Sequence, residues 1–120
     1  MMGFIYVALG GAIGAMFRYS IGFLPFKGAF PLITLLINIL GAFAIGLVAG
    51  MAENREVSPG MILFLKTGVC GGFTTFSTFS IESYNLIVSD KPLLAGTYII
   101  LSVTLCLLGI FCGLAVTRRA

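Results

Sequence analysis

The sequence predicts an all-α membrane protein with four transmembrane helices per subunit, the third of them broken, and three observations lead there. Its 120 residues are 59% hydrophobic and 9% charged, with a mean hydropathy of +1.14, a composition outside the range of soluble globular domains. Apolar stretches alternate with short polar connections. At about 20 residues per crossing, four spans use roughly 80 residues and leave no room for a separate catalytic domain. Within the third stretch, Gly71-Gly72-Phe73-Thr74-Thr75-Phe76-Ser77-Thr78-Phe79-Ser80 sets paired glycines beside five hydroxyl side chains in seven positions. Glycine loses backbone entropy in a helix, and Ser and Thr compete for backbone groups, so the helix is expected to break here. In lipid the groups freed by a break must be satisfied by protein, water or a bound ion, so the segment reads as an ion or solute site at mid-membrane.

Charge and cysteine usage exclude other classes. The net charge of +3 is scattered, and no basic run exceeds Arg118-Arg119, which argues against nucleic acid. Cys70, Cys106 and Cys112 are odd in number and lack metal-ligand spacing, and the chain has no His. They read as small polarisable packing groups, and neither a disulfide framework nor a transition-metal site is expected. Without His, an extramembrane domain or a nucleophile–base pair, the chain is not expected to be an enzyme. The N-terminal apolar run has no basic segment before it and reads as a retained helix.

The first span covers residues 3–24. Gly10, Gly14 and Arg18 recur at i, i+4, i+8, so one face offers a close-approach groove ending in a guanidinium, and that face should meet another helix. Arg18 itself has three open roles: snorkelling to the interface, pairing within the structure, or attracting a solute. Pro25, Lys27 and Gly28 form a loop, and Pro31 suits a helix start. The second span, 31–52, carries Asn38, Ala42, Gly46 and Gly50 on one stripe. Its lone amide is either an interhelical hydrogen bond or a donor facing a pore. Glu53 to Gly60 is an aqueous loop.

The third span, 61–88, is longer than one crossing needs, which a non-helical break explains. Phe76 and Phe79 share a face once helix resumes. Lys66 lies close enough to an end to reach the interface. Glu82, the carboxylate nearest a span interior, is either a titrating transport group or an end-of-pore group facing water. After Asp90-Lys91-Pro92, the fourth span, 93–116, places Tyr98, Ser102 and Cys106 at i, i+4, i+8 as a narrow polar line. With four spans, Arg55, Arg118 and Arg119 fall on one side of the membrane and Arg18, Lys27 and Lys91 on the other. That balance gives the positive-inside rule nothing to act on. Insertion in both orientations and an antiparallel dual-topology homodimer follow, a two-chain version of the inverted repeats of larger transporters.

These residues carry a family resemblance. Gly10-Gly11-Ala12-Ile13-Gly14-Ala15 leading to Arg18-Tyr19, the Asn38-x-x-Gly41 pattern and, above all, the Gly71 to Ser80 segment are similar to the small bacterial fluoride channels, the Fluc/CrcB family. The resemblance covers the whole chain. It implies a multi-pass protein of the bacterial plasma membrane and an antiparallel homodimer that is passive, selective for fluoride and protective against accumulated fluoride. By position it implies Phe76 and Phe79 as ring-edge contacts of the pore, Asn38 as the amide donor near them, and Ser77, Thr78, Tyr98 and Ser102 as its polar lining. It further implies a central, non-transported sodium ion held by the backbone carbonyls of Gly71 and Thr74 from both subunits. Arg18, Lys66 and Glu82 serve either structure or the approach of the ion. At Cys106 the family commonly has Ser or Thr, and a thiol is the weaker donor. Two rival functions remain, a dual-topology proton-coupled multidrug exporter and a non-selective pore subunit. The first is disfavoured because residues 3–24 hold no Asp or Glu. The second is disfavoured because assembly alone does not require polar clusters on three helices.

Overall fold

The computed structural model describes residues 1–54 and 57–118, so Arg55, Glu56 and Arg119, counted above in the charge balance and the loop, lie outside the described residues. Most of the described residues are helical: α1 (Met2–Ile21), α2 (Leu32–Glu53), α3 (the successive pieces Pro59–Ile62, Leu63–Cys70 and Gly71–Phe73), α4 (Phe76–Val88) and α5 (Pro92–Arg118). No strand occurs among the described residues. α1, α2 and α5 are each long and apolar enough to cross a membrane. α3 and α4 are the halves of one interrupted helix, the break that the hydroxyl-rich segment predicts. The long axis of 48 Å matches a bilayer with its headgroup layers, about 40–45 Å.

Two glycine seams pair the helices. α1 lies against α3 so closely that a Cβ at Gly10 would fall on the Phe64 carbonyl and within 2.9 Å of the Gly68 Cα. One at Gly14 would fall on the Val69 carbonyl and within 2.8 Å of the Phe73 nitrogen. The groove read from Gly10 and Gly14 therefore does receive a helix. The part of α3 it receives is unusual, because Leu63–Cys70 is π-helical and the Gly71 N–H reaches back five residues to the Lys66 carbonyl. On the other side, the Ala42–Gly46–Gly50 stripe of α2 faces Gly109, Gly113 and Thr117 of α5. A Cβ at Gly46 would come within 3.0 Å of the Gly113 Cα.

Helix ends are closed by specific groups. Ser58 Oγ accepts the Met61 N–H at 3.2 Å, with Pro59 in the first turn of α3. Asn54 Nδ2 donates to the Thr117 carbonyl at 2.6 Å. Arg118 gives Nε and Nη2 to the two Glu53 oxygens at 2.7 Å each. This hydrogen-bonded guanidinium holds the Glu53 carboxyl below the usual carboxylate range. Both groups are about half exposed, so the pair sets the register of α2 on α5 more than it stabilises them.

At the end of α4, Lys91 N–H bonds the Leu86 carbonyl at 2.9 Å and Asp90 N–H the Ile87 carbonyl at 3.3 Å, with Asp90 at φ 61°. This is a Schellman closure with an aspartate in the left-handed position that glycine fills best. Asp90→Gly is expected to stabilise the detergent-solubilised protein by about 0.5–1 kcal/mol, read as a higher thermal midpoint, and Asp90→Val to lower it.

The buried core joins α2, α4 and α5 through Leu35, Leu86, Ala95 and the fully buried Tyr98, flanked by Phe30, Ile39, Phe79 and Leu94. Phe30 meets Tyr98 edge-on at 5.5 Å and Phe79 meets it at 5.1 Å. α4 is thus anchored just after the break.

Candidate functional site

The helix opens at Thr74 (φ −81°, ψ 159°) and Thr75 (φ −148°, ψ 120°), two extended residues between α3 and α4. The break thus falls inside the Gly71 to Ser80 segment, at its first two hydroxyl residues, while the glycine pair that helped to predict it is helical. Gly72 is small because α1 passes against it: a Cβ there would lie 2.5 Å from the Gly11 carbonyl oxygen. Propensity registered the low helix preference of glycine correctly and missed that tertiary contact overrides it.

Most polar groups at the break have named partners. The Cys70 carbonyl accepts the Thr74 N–H at 3.0 Å and Thr74 Oγ1 at 2.9 Å. Arg18 Nε donates to the Gly72 carbonyl at 3.2 Å. Asn38 clamps Thr75 from both sides: its Oδ1 accepts the Thr75 N–H at 2.8 Å and its Nδ2 donates to the Thr75 carbonyl at 3.0 Å. Thr75 Oγ1 then caps α4 by accepting the Thr78 N–H at 3.1 Å. In a continuous helix, the N–H groups of Thr75 and Thr78 would go to the Gly71 and Thr74 carbonyls. Both are engaged elsewhere, so those two carbonyls lose their helical donors.

Cavities flank the break. One of about 300 Å³ is lined by Asn38, Thr75, Phe76, Phe79, Ser102 and Cys106 among others. In it, the Ser102 hydroxyl is buried and has no hydrogen-bond partner among the described residues. The Phe76 and Phe79 rings stand 5.5 Å apart, tilted by 44°, with Phe76 78% exposed. A second cavity of about 400 Å³ is lined by Arg18, Thr34, Thr75, Thr78 and Glu82. A third, about 360 Å³, shares Thr34 and Glu82 with it and extends to Asn85, Ser89 and Lys91. Thr75 thus borders the first two cavities, and Glu82 the last two.

A family profile described as CrcB-like protein, Camphor Resistance (CrcB), matches residues 5–114. The chain belongs to the CrcB family. It is 45% identical to a Hyphomonas neptunium relative over 99% of this chain and 98% of that one. Identity to an Agrobacterium fabrum relative is 43% over the same shares. A Roseiflexus relative is 41% identical over 98% of each chain. All three relatives carry the name fluoride-specific ion channel FluC.

In this CrcB-family chain the residues singled out from sequence fall into groups. Asn38, Phe76, Phe79 and Ser102 share one cavity, while Thr78 lies across α4 in the cavity of Arg18 and Glu82. Ser77 is exposed, its Oγ 3.5 Å from Thr75 Oγ1. Tyr98 leaves the polar line on α5, because its hydroxyl donates to Glu82 Oε1 at 2.9 Å. Lys66 is exposed on the π-helical stretch, apart from these cavities. Of the roles open to Arg18, pairing within the structure is the one observed; Asn38 makes interhelical hydrogen bonds and also lines a cavity.

Sequence reasoning missed Thr34. Its buried Oγ1 donates to Glu82 Oε2 at 3.0 Å, so both Glu82 oxygens are bound by hydroxyls from α2 and α5. The signal was present, since Thr34 lies four residues before Asn38 on the same stripe.

Proposed function

We propose that two copies of this chain, inserted in opposite orientations, form a passive fluoride-selective channel in the bacterial plasma membrane that lets accumulated fluoride leave the cytoplasm. The observation that carries this reading is the phenylalanine-lined cavity at the break, with the Ser102 hydroxyl unpaired in it. End-to-end similarity to proteins named fluoride-specific channels supports the choice of ion.

Fluoride is small and strongly hydrated, so a pore must replace its water with donors. Hydroxyls and an amide do so without a fixed cation that would trap it. Asn38 keeps a second amide hydrogen after its bond to Thr75, and Ser102 has its hydroxyl free. Aromatic rings carry a positive edge, so Phe76 and Phe79 turned edgewise assist an anion while their bulk narrows the passage against larger halides. Ser77 and Thr78 add hydroxyls at the start of α4. Tyr98 contributes by holding Glu82. Glu82 is in turn held on both oxygens by the hydroxyls of Thr34 and Tyr98.

A structural, non-transported sodium ion belongs to the same proposal. The Gly71 and Thr74 carbonyls, with those of the opposed copy, would hold it. The donor set fits, because hard cations take oxygen ligands and these carbonyls lack their helical donors. Bound there, sodium supplies a positive charge that favours nearby anions. The Lys and Arg outside the third span, three on each side, support dual topology.

Fluoride-loaded liposomes carrying the purified protein should release fluoride to an ion-selective electrode with no pH gradient. Phe76→Ile and Phe79→Ile should each bring release toward that of protein-free vesicles. Undiminished release from both variants would remove the rings from the path. C-terminal reporter fusions should appear on both sides of the membrane, and a one-sided result would contradict the opposed dimer.

A further inference from the structure

We propose that Cys106 is a modification site inside the conduction path, taking thiol-directed electrophiles, and that its occupation blocks fluoride passage. The inference rests on the channel reading above and deepens it. Three observations carry it. Cys106 is half-buried one helical turn past Ser102 and lines the same cavity of about 300 Å³ as Asn38, Phe76 and Phe79. Ser102, which lines that cavity, is 94% buried, and its hydroxyl has no hydrogen-bond partner among the described residues, a buried polar group that calls for a ligand. The other two thiols differ in setting: Cys70 is buried at 4% exposure in α3, and Cys112 is exposed elsewhere on α5.

Cys106 borders an open cavity of about 300 Å³, room enough for a small electrophile to reach the thiol from the cavity's mouth, whereas the passage narrowed by the two rings admits only fluoride stripped of water. Its thiolate attacks the sulfenyl sulfur of an alkyl methanethiosulfonate. A new S–S bond forms, the S–SO₂ bond breaks, methanesulfinate leaves, and the thiol proton goes to water. The bound group then occupies the space beside the two phenylalanine rings. A dithiol reverses the reaction by disulfide exchange.

The probe is 2-(trimethylammonium)ethyl methanethiosulfonate, added to fluoride-loaded liposomes, with each protein compared with its own rate before addition. Wild-type release is expected to be lost and to return with dithiothreitol, with intact-peptide mass spectrometry locating the adduct on Cys106. Cys106→Ser should resist the reagent, and Cys112→Ser, which keeps the thiol in question, should be blocked like the wild type. Block that persists in Cys106→Ser, an adduct on Cys106 with release unchanged, or a Cys106 left unmodified while Cys112 reacts would each overturn the proposal. Absence of fluoride release before any reagent is added would instead overturn the channel reading itself.

Discussion

Gly14→Ala is expected to separate α1 from α3 and to cost about 3 kcal/mol or more, an overpacking penalty with no side-chain movement available to relieve it. On an isolated helix the same change would help, because alanine is favoured over glycine by about 1 kcal/mol. Here the added Cβ would fall on the Val69 carbonyl and within 2.8 Å of the Phe73 nitrogen, all backbone. The clash wins, since α1 can escape it only by withdrawing from the whole seam. Withdrawal also pulls Arg18 from the Gly72 carbonyl, so the break loses one of its supports. Gly11→Ala is the control on the same helix, since a Cβ there meets nothing within 4 Å. Thermal midpoints in detergent should show a large fall for Gly14→Ala and little change for Gly11→Ala. Similar midpoints for the two would mean that the seam does not bear on stability.

Asn38→Leu is expected to be comparably damaging for a different reason. The amide satisfies both the N–H and the carbonyl of Thr75, and leucine satisfies neither. Leaving these two part-buried backbone groups unpaired costs at most about 2–6 kcal/mol, at 1–3 kcal/mol for each group if fully buried. Lipid supplies no water to replace the lost bonds. The Thr75 amide should change from slow to fast hydrogen exchange, and the thermal midpoint should fall with it. A Thr75 amide that remained protected would show that something other than Asn38 fixes the break.

How far the sequence reached is clear from these same residues. Periodicity and composition are local, and they revealed the helices, the interrupted third segment, the groove of Gly10 and Gly14, and the packing stripe of Ala42, Gly46 and Gly50. The shared face of Phe76 and Phe79 also followed, because i and i+3 meet on a helix. What escaped was set from far along the chain. The break falls at Thr74–Thr75 because Asn38 and Arg18, 37 and 54 residues away from their partners, take up its backbone groups there. The glycine pair, by contrast, is consumed in contact with α1. No local pattern announced the π-helical turn at Leu63–Cys70. Tyr98 looked like a lining residue because it shares a stripe with Ser102, but its hydroxyl reaches Glu82 on α4.

The central claim is that the open helix and its phenylalanine-lined cavity pass fluoride and exclude larger halides. Its most direct test is the initial rate of fluoride release beside that of chloride from identically prepared liposomes, with potassium permeability supplied to balance charge. The account predicts rapid fluoride release and chloride retained at the level of protein-free vesicles. Chloride leaving at a rate comparable to fluoride would contradict it.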